Sequence, residues 1–154
     1  MKIVVTTLVL LVSSIGMSQV VSLMSNSSTY TAAHGKMSYK EVFNAPVKVE
    51  ISESVHTNYE VDLDLKTISY NVDGIKATKS FTNLNYDKKT KIAVFTYNDE
   101  GIEKSGKSAI VPVTVELNLN PGKEQFLMSW FDYEGDEGRG VTMVQNSFGE
   151  FLIN

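Results

Sequence analysis

The stretch Val111-Pro112-Val113-Thr114-Val115-Glu116-Leu117-Asn118-Leu119, with Asn120-Pro121-Gly122-Lys123 and Gln125-Phe126-Leu127-Met128 after it, decides the fold class. Aliphatic residues occupy every second position from Val111 to Leu119. On a strand that puts one kind of side chain on each face, whereas a helix would scatter the same residues around its axis. The run stops at Asn120, and Pro121-Gly122 supplies the residue types that a type II turn needs at its two centres. A new apolar run starts at once, so the segment reads as two antiparallel strands joined by a hairpin.

The same grammar repeats on either side. Val47, Val49 and Ile51 alternate with Lys48, Glu50 and Ser52, and Tyr59, Val61, Leu63 and Leu65 alternate with Glu60, Asp62 and Asp64. Asp64-Leu65-Lys66-Thr67 and Asp87-Lys88-Lys89-Thr90 read as turns begun by an aspartate whose side chain bonds the backbone two residues on. Asp73-Gly74 is the pair preferred in two-residue hairpins. The turn spacing predicts about eight strands, near 46–54, 57–65, 67–73, 75–85, 90–98, 108–119, 124–133 and 140–146. The expected fold is all-β, an antiparallel meander forming an up-and-down barrel or a two-sheet sandwich. Ser38-Tyr39-Lys40-Glu41 fits a capping box, and Asn44-Ala45-Pro46 would stop a short helix there; a strand from Met37 is the competing reading.

Ile92-Ala93-Val94-Phe95 and Phe126 to Phe131 lack alternation and are apolar on both faces. Such strands are covered on both sides, or one face lines a cavity or a contact surface. A barrel with an internal pocket meets that requirement, and so does a sandwich covered by the N-terminal segment.

The N-terminus reads as an address. Lys2 is followed by an apolar run from Ile3 to Val12 and then by small residues, with Gly16 and Ser18 at cleavage-site positions. These are the three parts of a secretory signal, cut near Ser18. The run falls short of the roughly 20 apolar residues of a membrane-spanning helix, so no membrane span is expected in the mature chain. Residues 19–36 show little period and read as a flexible lead-in, leaving 37–154 as a single β-domain in a secreted or periplasmic location.

Composition narrows the function classes. With 154 residues and 42% hydrophobic content the chain can build a packed core without metals or staples. Its formal net charge of -4 argues against a nucleic-acid backbone as partner. It has no cysteine, which removes thiol chemistry, Cys-ligated zinc and a lipid anchor on an N-terminal Cys.

No catalytic constellation stands out, and no cofactor is expected unless it is calcium. His34 and His56 have no patterned partner. Gly101, Gly106, Lys107 and Ser108 satisfy the spacing of a P-loop, but a proline-containing strand follows where that loop requires a helix. Asp132, Glu134, Asp136 and Glu137 form the densest acidic cluster, able to bend around a hard cation such as calcium, although Glu137 stands where an EF-hand needs glycine and Met143 where it needs a bidentate glutamate. Trp130, Phe131, Tyr133 and Phe95 are the candidate ligand-contacting aromatics, with core packing as the plainer reading.

The leading expectation is an exported, non-enzymatic domain that binds a small apolar ligand or a protein partner. The alternatives are a secreted carbohydrate-active enzyme using paired carboxylates, such as Glu60, Asp62 or Asp64 if brought into a cleft, and a small outer-membrane barrel.

Overall fold

The structure, a computed structural model, describes residues 19–72, 74–102, 108–132 and 140–154. Eight antiparallel strands run in chain order around a closed barrel: β1 (Val20–His34), β2 (Val49–Asp62), β3 (Thr67–Val72), β4 (Ile75–Asp87), β5 (Ile92–Ile102), β6 (Ser108–Asn118), β7 (Gln125–Asp132) and β8 (Val141–Ile153). β1 pairs with both β2 and β8, which closes the ring. Among the described residues a single short helix, α1 (Tyr39–Asn44), links β1 to β2.

The turns form for the local reasons the sequence suggests, with one shift of residue. Asp87 Oδ1 accepts from the backbone N–H of Lys89 at 2.8 Å and of Thr90 at 3.4 Å, and these bonds hold its carboxyl below the usual carboxylate range. At the β2–β3 turn the accepting carboxylate is Asp62, not Asp64: its Oδ1 takes the N–H of Asp64 at 3.0 Å and of Leu65 at 2.8 Å. At Asn120-Pro121-Gly122-Lys123 the Lys123 N–H reaches the Asn120 carbonyl at 2.9 Å and Gly122 has φ +76°, as a type II turn demands.

Three boundaries differ from the sequence reading. Val20–His34, expected as a flexible lead-in, is the longest strand. Its alternation is real but changes phase. Val21, Leu23 and Ser25 point inward, a bulge falls between Ser25 and Ser27, and Ser28 then faces inward. An extra residue in one strand flips every later side chain, so the period is invisible across the bulge. The two strands expected at 46–54 and 57–65 are the single strand β2, and β8 runs seven residues past 146, to Ile153. The expected number of strands survives because one strand was gained where another was merged.

Inward-facing residues from every strand fill the barrel. The core comprises Val21, Leu23, Tyr59, Val61, Ile68, Phe81, Ala93, Phe95, Val115, Leu117, Phe126 and their neighbours, with Phe81 stacked on Phe95 at 3.9 Å between ring centroids and Tyr59 on Phe126 at 4.6 Å. Eight strands enclose a space that side chains of this size can fill. A second, smaller core lies outside the barrel. Val42 of α1, with Met37, Tyr39 and Phe43, covers Ala33, Leu127 and Val144. That explains why β7 is apolar on both faces: Phe126 and Met128 point in, and Leu127 points out beneath the helix. Ser38 caps α1 as its sequence suggests, with a reciprocal bond from Glu41, and Tyr39 donates to Glu116 Oε1 on β6 at 3.0 Å.

Candidate functional site

The two ends of the barrel are built differently. One end carries the short β2–β3, β4–β5 and β6–β7 turns, and the start of β1 meets the residue after β8 there: Val20 N–H donates to the Asn154 carbonyl and Asn154 N–H to that of Val20. The other end carries the helical crossover from β1 to β2 and the remaining hairpins. Here the strands part company. The β2–β3 ladder stops at Thr57↔Val72, the β4–β5 ladder at Phe81↔Tyr97, and the β6–β7 ladder at Thr114↔Ser129. Beyond those points the wall continues as separate ribbons.

One of these pieces is the run β7–β8–β1–β2, in which β2 is the last strand. Ala32↔Val49 through Ser27↔Ser54 pair along one side of β2, and among the described residues no strand pairs with its other side before Thr57. That half of β2 is an open sheet edge. Its inward-phase residues are wet: Val49 is 61% and Ile51 53% exposed, Glu53 further along is exposed too, and Val47 just before the strand is 74% exposed. Sheet edges in native proteins are usually short, charged or covered, because an open one invites pairing.

Below the ribbon, a ring of tyrosines marks the boundary with the packed core. The Gln145 amide nitrogen donates to the hydroxyl of buried Tyr59 at 3.1 Å, and the same nitrogen lies 3.2 Å from Ser28 Oγ and 2.9 Å from Ser147 Oγ. Every member of this polar group is buried and paired, as a group inside a barrel must be. Tyr70 donates to Asp99, whose Oδ1 is 3.5 Å from Lys79 Nζ. Burial, and then the Asp99 charge, push the Tyr70 hydroxyl up to about 12. Burial also raises Tyr97 and Tyr59. These hydroxyls therefore stay neutral throughout the physiological range.

The residues singled out from sequence separate in space. Phe95 is 1% exposed and belongs to the core stack. Trp130 is partly buried against that core, on the inward face of β7. Phe131 takes the opposite face, against the backbone of Gly140, where an added Cβ would lie 2.4 Å from its Cζ. Asp132 returns to the face of Trp130. Tyr133, Glu134, Asp136 and Glu137 lie outside the described residues. Among the described residues no group of three or more His, Cys, Asp or Glu side chains converges on a metal position. Glu60 and Asp64 are exposed, and Asp62 is engaged in its turn. His34 and His56 are both exposed. Gly101 and Ser108 sit on the paired ends of β5 and β6, an antiparallel hairpin and not a strand-to-helix loop.

The β2 edge was missed. Its alternation was legible in Val47, Val49 and Ile51, but alternation carries no information about whether a neighbouring strand is present. Among the described residues no helix is long and apolar enough to cross a membrane. Compared with known proteins, the chain matches no family model, no curated protein and no solved structure.

Proposed function

We propose that the chain is an exported, non-enzymatic binding domain, and that it recognises a protein partner through the open edge of β2. The observation that carries this reading is the pair Val49 and Ile51 on a strand segment with one neighbour among the described residues, with Val47 just before it, all three aliphatic side chains being exposed. An edge of that kind offers main-chain hydrogen bonds for affinity and alternate side chains for specificity, which is how sheet-adding partners are bound. The packed interior favours a protein over a small apolar ligand, since Phe81, Phe95, Tyr59 and Phe126 occupy the space such a ligand would need. The outer wall weighs against an outer-membrane barrel. Asn58, Glu60, Thr78, Ser80, Thr82 and Asn98 face outward and are exposed, while Tyr59, Val61, Phe81, Ala93 and Phe95 of the same strands face inward. A lipid-facing wall has the reverse polarity.

Photo-crosslinking in the producing cell tests the reading. A benzoylphenylalanine at position 49 should give discrete protein adducts, and one at position 82 on the outer wall should not. The reading is lost if position 49 gives no adduct, or gives the same products as position 82.

A further inference from the structure

We infer that the partner taken by the β2 edge is a second copy of this chain, paired antiparallel about a two-fold axis through Val49. The inference rests on the edge reading above and adds to it an occupant and a register. A two-fold perpendicular to the sheet places residues of equal parity opposite one another, so each choice of central residue fixes every cross-strand pair. β2 begins at Val49, so the pairing carries its extended backbone two residues back through Lys48 and Val47; centred on Val49, Val47 then faces Ile51 of the second copy, Val49 faces itself, and Lys48 faces Glu50 on the other side of the sheet. Both faces are then matched, aliphatic on aliphatic and cation on anion, and the symmetry makes each contact twice.

Neighbouring registers lack that match. Centring on Glu50 sets two glutamates opposite each other, and centring on Ile51 sets Val49 against Glu53. Like charges directly opposed on a sheet are unfavourable. Pro46, which has no N–H to give and falls opposite Ser52 of the second copy, bounds the pairing at both ends. In the single chain the Lys48 ammonium reaches back to the Phe43 carbonyl, and its flexible stem lets it exchange that acceptor for a carboxylate. The segment is short, so the dimer is a weak one, below the area of a standard stable interface.

Sedimentation equilibrium of the exported chain over a wide concentration range is the test. Wild type should show a reversible monomer–dimer equilibrium. Glu50→Lys, which sets lysine against lysine, should raise the dissociation constant at least about tenfold, a change of roughly 1.4 kcal/mol. The double variant Lys48→Glu with Glu50→Lys exchanges the charges and should restore the wild-type constant to within about threefold, roughly 0.7 kcal/mol. Both side chains lie outside the core, and unchanged thermal unfolding of each variant serves as the folding control. A monomer at every concentration overturns self-pairing, and a dimer indifferent to Glu50→Lys or not rescued by the exchange overturns the register. If the chain is monomeric while position 49 still crosslinks to a different protein, self-pairing fails and the edge reading stands. If it is monomeric and position 49 gives no adduct, both fail.

Discussion

The two halves of β2 have the same sequence pattern and opposite fates. Tyr59 and Val61 alternate with Glu60 and Asp62, and Val49 and Ile51 alternate with Glu50 and Ser52. Tyr59 and Val61 are 7% and 1% exposed, whereas Val49 and Ile51 are mostly in solvent. The difference is the second neighbour. From Thr57 to Asp62 the strand is flanked by β1 and β3 and looks into a closed ring, while from Val49 to Ser54 it is flanked, among the described residues, by β1 alone. Alternation in a strand reports that its two faces differ in polarity. Whether the apolar face is buried depends on strands elsewhere in the chain.

The contrast predicts very unequal costs for truncating side chains in the two halves of the barrel. Phe126→Ala removes a fully buried ring stacked on Tyr59 and should destabilise the protein by about 3–5 kcal/mol in chemical denaturation. A cost under about 1 kcal/mol would mean that the closed end is not the packed core described here.

The tyrosine ring between the halves gives an intermediate, pH-dependent effect. Folding raises the Tyr70 hydroxyl from its ordinary 10.0 to about 12, so the folded state holds the proton more tightly than the unfolded one. Its contribution to stability is therefore complete below pH 10 and is lost as pH rises from there through about 12. In a spectrophotometric titration at the tyrosinate band, Tyr70→Phe should remove one late-ionising group. Asp99→Asn should shift the Tyr70 and Tyr97 ionisations to lower pH, that of Tyr70 not fully to 10, because burial, the larger cause, remains. Unchanged titration curves for both variants would remove the boundary from the comparison.

The smallest effect belongs to the open half. Ile51→Ser should change stability by no more than about 0.5 kcal/mol, the range for surface substitutions. A loss several times larger would show that this half of β2 is covered within the single chain.

Much of the fold was legible because its signals are local. A type II turn needs only Pro121-Gly122, an Asx-type turn only a carboxylate two residues from the N–H it accepts, and the α1 cap only Ser38 and Glu41. β1 was illegible for an equally physical reason: the bulge at Ser25–Ser27 changes the phase of its pattern, and its inward-facing Ser25 and Ser28 look like loop residues until Gln145, 117 residues further along the chain, supplies the hydrogen bond that lets Ser28 be buried. The aromatics chosen for a site share one short run, Trp130 and Phe131, yet the strand's alternation sends them to opposite faces.

By itself, then, the sequence determined the antiparallel hairpins, the short capped helix and the polar and apolar faces of each strand, since those depend on neighbours a few residues away. Only the tertiary structure decided that the sheet closes on itself, that α1 covers the outer face of β7, and that β2 outruns β3. Those outcomes turn on which distant strands meet and on where each ladder ends, and the open edge of β2 exists because one of those ladders stops at Thr57.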